Sequence, residues 1–234
     1  MTTKLPHPYG FSKNLFHAKQ FGAPIVALES TVITHGLPQP ENLKLAQAME
    51  AIVREYGASP ATIAILDGKI RIGLSEDELE TFARRDDTRK ISLRDFGIAL
   101  AGGLSGGTTV AGTLFVAALA NIKVFATGGI GGVHRGNPFD ISADLIQLGK
   151  SPVVVVCSGA KAILDLPATR EVLETQGVPV VGYQTDEFPA FYTRSSGLGV
   201  DIRVETPEEA ANIAHKGWEA GMTSAVLLVV PPPE

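Results

Sequence analysis

Three stretches of this chain carry side chains able to do covalent or acid–base chemistry. The densest runs from Val124 to Asp144, VFATGGIGGVHRGNPFDISAD. An apolar strand there breaks into a double-glycine loop, presents His134 and Arg135, and ends in two carboxylates, Asp140 and Asp144. Gly128, Gly129, Gly131 and Gly132 lack a Cβ, so the backbone can take positive φ and bring its N–H groups close to a ligand. An apolar strand delivering such a loop is how α/β enzymes present a site, although the same glycines also suit a plain tight turn. The second stretch centres on Lys161, which follows the apolar run VVVVCSG and Ala160 and is expected in the first turn of a helix. A helix N-terminus and desolvation both disfavour an ammonium ion, and an uncharged amine there attacks carbonyls to form a Schiff base. The alternative is a solvated surface lysine. The third is Glu29, at the end of the strand IVALE, either a catalytic carboxylate or the cap of the turn that follows.

Other positions are more ambiguous. Asp140 and Asp144 are four apart, which predicts one shared helix face. That face is either solvated or, beside the glycine loop, suited to a hard divalent cation that keeps most of its water. The glycine setting of His134 favours ligand contact over a core or surface role. Lys90 and Arg94 bracket Ser92 on an expected strand, ISLRDF (91–96), as phosphate contacts or as its solvent face. GGLSGGTTVAGTLFVAALANI reads as a glycine-rich front running into an apolar helix. The amides at the start of that helix suit an anion, or the helix is packed closely through its small residues. No GK[ST] P-loop, HExxH, CxxC pair or GxSxG elbow is present, which leaves Schiff-base, carboxylate or metal-water chemistry.

The elements that must position these residues alternate along the chain. After a polar arm (about 1–23) with one short helix come the strand 25–29 and a helix through Leu45, Met49, Ile52, Val53 and Tyr56, closed by Gly57. ATIAILDG and KIRIG form a hairpin about an Asp-Gly turn. SEDELETFARR opens with Ser75 and Glu78 in capping-box spacing. A strand at 122–127 precedes the glycine loop, and a helix near ISADLIQLG follows it. VVVVCSG reads as a strand buried on both faces. Then come a helix (ATREVLETQG), a strand (VPVVGYQ), an irregular loop (DEFPAFYTRSSGLGV), a helix capped by Thr206 and stopped at Gly221, and the strand SAVLLVV. With no repeat or long linker, 1–234 is expected to form one α/β domain.

Composition bounds the partners. The chain has 234 residues, 44% hydrophobic and 19% charged, as expected of a globular chain with a sizeable core. A formal charge of −5 and a pI near 5.6 argue against nucleic-acid polymers or an anionic membrane as partners. No signal-peptide core or apolar run of about 18 residues is present, and the single Cys157 lies in an apolar run. A cytoplasmic setting without disulfides is expected.

The blocks ALESTVITHGLPQPEN, PATIAILDG, RKISLRDF, GGTTVAGT, FATGGIGGVHRG, FDISADL, SGAKAILD and LETQGVPVVGY resemble the pseudouridine-5′-phosphate glycosidase, or indigoidine synthase A-like, family. The resemblance extends over nearly the whole chain in the family's order. It implies an α/β/α sandwich with a central mixed sheet, a homotrimer, and one Mn2+ per subunit. It also implies reversible cleavage of the C–C glycosidic bond of pseudouridine 5′-phosphate to uracil and ribose 5-phosphate. Carried over by motif, Lys161 forms a Schiff base with ribose C1′ and Glu29 is the proton donor. His134 lies near the reacting carbon, and Asp140 holds the metal through its water shell. Ser142, Ala143 and Asp144 line the substrate site, with Lys90 and the backbone at Val110 as further contacts. Two departures are expected to matter. The loop from His134 to Asp140 is slightly shorter than in the family. Family members also continue past a segment like Pro231–Pro233 into a part that carries an asparagine-containing contact to uracil. Two other readings remain open at this point: a Schiff-base lyase or aldolase on another sugar phosphate, and an inactive, truncated sugar-phosphate-binding protein.

Overall fold

A computed structural model describes residues 9–137 and 139–233, so the first eight residues of the expected arm lie outside the described residues. The chain falls into two compact units, Met1–Ile122 and Lys123–Glu234. Each is a sheet with helices packed on it, the mixed α/β fold expected from the alternating pattern.

The first unit contains β1 (Tyr9–Phe11), α1 (Lys13–Gln20), β2 (Ile25–Leu28), α2 (Glu41–Glu55), β3 (Ser59–Leu66), β4 (Lys69–Ile72) and α3 (Glu76–Arg84). These are followed by β5 (Arg89–Ile91), α4 (Phe96–Ala101), β6 (Gly106–Thr108) and α5 (Val110–Leu119). A π-helical turn, Val32–Gly36, follows β2. The Asp-Gly signal is borne out: Asp67 and Gly68 take φ of 48° and 71°, and β3 and β4 pair antiparallel with Leu66 opposite Lys69. Such a turn matches the twist of the two strands it joins. The Ser75 capping box also forms, with Glu78 N–H donating to Ser75 Oγ and Ser75 N–H to Glu78 Oε2.

β3 organises this unit. One edge carries β4, which in turn pairs with β1. Along the other edge the first half, Ser59–Thr62, pairs parallel with β2, and Ala64 and Ile65 pair antiparallel with Gly107 and Gly106 of β6. β6 then carries β5 in parallel. Glu29 therefore leaves the sheet where β2 gives way to β6. The core beneath comprises Ile33, Ala46, Ala64, Leu74, Leu79, Phe82 and Ala83.

The second unit contains β7 (Val124–Ala126), α6 (Ala143–Leu148), β8 (Val154–Cys157), α7 (Leu166–Thr175), β9 (Val180–Tyr183), β10 (Ile202–Val204), α8 (Pro207–Glu219) and β11 (Val226–Val229). Its strands run in the order β7-β8-β11-β9-β10, all parallel. The last strand in sequence thus lies in the middle of the sheet, and all four of its residues are buried, as its unbroken VLLV predicts. α8 covers one face through Ala210 and Ala214, packed with Val181, Val204, Val226 and Leu228. In parallel sheets ligands bind beyond the carboxyl ends of the strands. The neighbours β7 and β8 deliver there the glycine loop and the Ser158–Lys161 segment.

Three local expectations are corrected. The ISLRDF strand ends at Ile91, because Asp95 folds back to accept a hydrogen bond from Ser92 N–H and makes a 3-10 turn of Leu93–Asp95. Lys90 and Arg94 therefore do not share a strand. The glycine-rich front before α5 contains a strand, β6. Its glycines press against backbone, since a Cβ on Gly106 would lie 2.2 Å from Arg89 O. Lys161 is not in a helix. α7 begins at Leu166, where Asp165 accepts from Ala168 N–H and Pro167 occupies the first turn.

Candidate active-site residues

In the second unit the glycine loop and the lysine segment are laced together. Ile130 and Ala160 form a parallel bridge, and Lys161 N–H donates to Ile130 O at 3.4 Å. Leu164 N–H closes a turn onto Lys161 O (3.0 Å), and Asp165 N–H reaches Val133 O (2.9 Å). Lys161 is exposed, and its amine has no hydrogen bond or ion pair among the described residues. The helix-end field expected to act on Lys161 is centred at Leu166 instead. The side chain is exposed on a tight turn and not held at a helix end.

The loop closes on itself around His134. His134 N–H donates to Asp140 O (2.9 Å), Ser142 N–H donates to Gly132 O (3.0 Å), and Val133 bridges Ile141. The His134 imidazole Nδ1 lies 3.8 Å from Asp140 Oδ2, both side chains being more than half exposed. Asp140 and Asp144 do not share a helix face, because α6 starts only at Ala143. Ser142 caps it, accepting from Asp144 N–H at 3.2 Å, which places Ala143 first in the helix. Asp144 is buried and turned back to the loop, where its carboxylate accepts Gly131 N–H at 2.9 Å. A glycine is required there: a Cβ on residue 131 would lie 2.3 Å from Ser142 Oγ and 2.9 Å from Asp144 Oδ2. Gly159, just before the lysine turn, has φ +78° and would place a Cβ 1.9 Å from Pro189 O.

Cys157 ends β8 directly below this segment. Burial pushes its thiol up to about 12, against a smaller opposing effect of a hydrogen bond with the Gly159 backbone. It is a core thiol, as its apolar surroundings in the sequence predict.

In the first unit, Glu29 follows β2 and is half-buried, with partners of its own. Its neighbour Ser30 is fully buried. Ser30 Oγ donates to Ile63 O at 2.5 Å and accepts Thr108 N–H at 3.0 Å. Thr108 Oγ1 bonds the same Ile63 carbonyl (2.7 Å) and Thr113 Oγ1 (2.8 Å). On the far side of β6, Lys90 stands opposite Gly107, and Thr109 N–H donates to Ile91 O at 2.9 Å. Val110 is the first residue of α5, behind Thr109, whose hydroxyl accepts from Gly112 N–H. One polar network thus registers Glu29, Lys90 and the amide end of α5. Lys90 is exposed, and its amine is unpaired among the described residues. Ser30 and Thr108 were not singled out in the sequence. Small hydroxyl residues at strand ends are too common to signal a buried network.

Among the described residues no group of three or more His, Cys, Asp or Glu side chains could hold a metal. A manganese ion is hard and accepts water and carboxylate oxygens. The exposed Asp140 carboxylate, with His134 beside it, fits such an ion only if water supplies most of its ligands. No helix among the described residues is long and apolar enough to cross a membrane.

The family of indigoidine synthase A like proteins matches residues 14–234. A pseudouridine-5′-phosphate glycosidase of Caldanaerobacter subterraneus is 58% identical over 213 residues, covering 90% of this chain and 69% of that protein. One from Herpetosiphon aurantiacus is 57% identical, covering 91% of this chain and 71% of that protein. A crystal structure of an indigoidine synthase A-like protein from Thermotoga maritima superposes with a TM-score of 0.87 at 42% identity, over 91% of this chain and 72% of that one. A prealnumycin C-glycosynthase, solved in complex with ribulose 5-phosphate, superposes with a TM-score of 0.90 at 44% identity, over 98% of this chain and 75% of that one.

Proposed function

The chain belongs to the family of indigoidine synthase A like proteins, and we propose that it is a pseudouridine-5′-phosphate glycosidase. The reaction is the reversible cleavage of the C–C bond between uracil C5 and ribose C1′, giving uracil and ribose 5-phosphate. The observation that carries this reading is the identity of 57–58% to curated glycosidases over nine-tenths of the chain. The solved C-glycosynthase adds a relative whose name joins a C-glycosidic bond with a bound sugar phosphate.

A C-glycoside has no leaving oxygen to protonate, so a carboxylate pair alone does not suffice. The Lys161 amine bonds to ribose C1′ as the C1′–O4′ bond breaks, and the proton the nitrogen gives up balances the one O4′ takes as it becomes a hydroxyl. Glu29 gives a proton to uracil C5. The nitrogen lone pair then forms an iminium at C1′ as the C1′–C5 bond breaks, and the electrons of that bond restore the C5–C6 double bond of uracil. Water hydrolyses the iminium, which frees ribose 5-phosphate and restores the amine. In this reading the unpaired Lys90 ammonium and the first-turn amide at Val110 bind substrate oxygens. Ser142, Ala143 and Asp144 hold the substrate at the start of α6, and His134 lies near the reacting carbon. Asp140 would hold one manganese ion per subunit through its water shell, and a bound cation there would offset negative charge. A homotrimeric assembly and a cytoplasmic location belong to the same reading.

The test is uracil release from pseudouridine 5′-phosphate, followed by chromatography after metal depletion and again with manganese restored. Uracil and ribose 5-phosphate in equal amounts, dependent on Lys161, support the reading. A folded protein that gives neither product nor a borohydride-trapped sugar-phosphate adduct overturns it.

A further inference from the structure

Arg135 is the one charged side chain of the glycine loop to which the proposed reaction gives no role. It is exposed, yet its guanidinium folds back onto the lysine turn. Nε donates to Leu164 O at 3.0 Å and a terminal nitrogen to Ala162 O at 3.0 Å. Among the described residues it makes no ion pair, so its charge is directed at these two carbonyls alone. They belong to the turn Lys161–Leu164, which Leu164 N–H closes onto Lys161 O.

We propose that Arg135 is a positioning residue that holds the Lys161 turn against the glycine loop. The backbone ties are concentrated at the ends of the turn: Lys161 N–H to Ile130 O at a long 3.4 Å, and Asp165 N–H to Val133 O. Between them the guanidinium fork donates to the carbonyls of Ala162 and Leu164. A rigid, planar fork can hold two carbonyls in one fixed geometry, whereas a lysine is a single flexible point of charge. Ile163 between the clamped residues is exposed, whereas Leu164 is buried, so apolar packing anchors only the end of the turn away from Lys161. The amine of Lys161 is carried by this turn. Its angle of attack on a carbonyl carbon therefore depends on the turn being fixed, and misplacement by about 1 Å can cost on the order of 100-fold in rate.

The role in catalysis rests on the Schiff-base reading above; the clamp itself does not. The experiment uses the full chain as Arg135→Ala and Arg135→Lys, with two readouts. The first is amide hydrogen exchange of the 161–165 segment relative to β8 and α7. The second is kcat and KM for uracil release, together with the rate of borohydride-trapped adduct formation from ribose 5-phosphate. Arg135→Ala is expected to speed exchange in 161–165 alone and to lower kcat and trapping about 10- to 100-fold, with KM within about threefold. Arg135→Lys is expected to fall between it and the wild type. Unchanged exchange in the segment overturns the clamp. A raised KM at unchanged kcat overturns positioning and makes Arg135 a substrate contact. Wild type that gives no uracil and no adduct overturns the glycosidase reading, while exchange still decides the clamp.

Discussion

Replacing Ser30 with alanine tests whether the network beside Glu29 is structural support for chemistry. Ser30 Oγ has two partners, Ile63 O and Thr108 N–H, and the side chain is fully buried. Removing it does not strand the Ile63 carbonyl, which keeps the Thr108 hydroxyl at 2.7 Å. It does strand the Thr108 amide in the core. An unsatisfied buried donor costs about 1–3 kcal/mol, and the lost bond to Ile63 a further ~0.5–1.5 kcal/mol. The expected destabilisation is roughly 2–4 kcal/mol, or about 5–15 °C in Tm for a chain of this size. Urea midpoints measure the first quantity. Because Glu29 precedes Ser30 directly, uracil release measured well below the transition is expected to fall at least about tenfold. Thr113→Val is the control. It removes one partner of the Thr108 hydroxyl and leaves its bond to Ile63, so it should cost about 1 kcal/mol with activity retained. A Ser30→Ala protein less than about 0.5 kcal/mol below wild type, or one with full activity, refutes the account.

Three further outcomes are expected. Lys161→Ala should abolish the trapped adduct and uracil release while moving the urea midpoint by no more than about 0.5 kcal/mol, since an exposed, unpaired side chain holds nothing in place. Gly131→Ala should cost about 2–5 kcal/mol by urea titration, because its Cβ meets Ser142 and Asp144 and displaces a charged acceptor from the loop amide. Cys157 should resist thiol reagents at pH 8 in the native protein and react in urea. Its thiol is pushed up in the fold from 9.0 to about 12, so its contribution to stability is complete below pH 9 and lost as pH rises toward 12. A Cys157→Ala chain should lack that alkaline decline in urea midpoint.

Elements whose signal is local were legible: the Asp67-Gly68 hairpin, the Ser75 and Thr206 caps, and the unbroken VLLV strand. What sequence reasoning missed was set by distant backbone. Gly106 and Gly107 form a strand because β3 and β5 flank them, and no side-chain alternation marks a Gly-Gly-Thr strand. Likewise β1, the Tyr-Gly-Phe segment of the expected arm, is a strand only because β4 offers it an edge. The misplaced helix start had a readable correction. Asp165 followed by Pro167 is an N-cap with proline in the first turn, and it competes directly with the apolar AKAILD pattern. Placing the start at Leu166 turns Lys161 from a helix-end residue into a turn residue. The means of holding it then changes from a helix dipole to hydrogen bonds reaching over from the glycine loop. Arg135 supplies two of those hydrogen bonds. In the sequence it is one more charged residue after a histidine, and its spacing of 26 residues from Lys161 carries no periodic signal. It gains a role only once β7 and β8 run parallel as neighbours and their following loops meet. For the same reason Asp144 reads as a helix-face partner of Asp140 in the sequence, yet it turns inward to the Gly131 amide in the fold. A carboxylate two residues past a serine cap has a loop amide within reach before it has solvent.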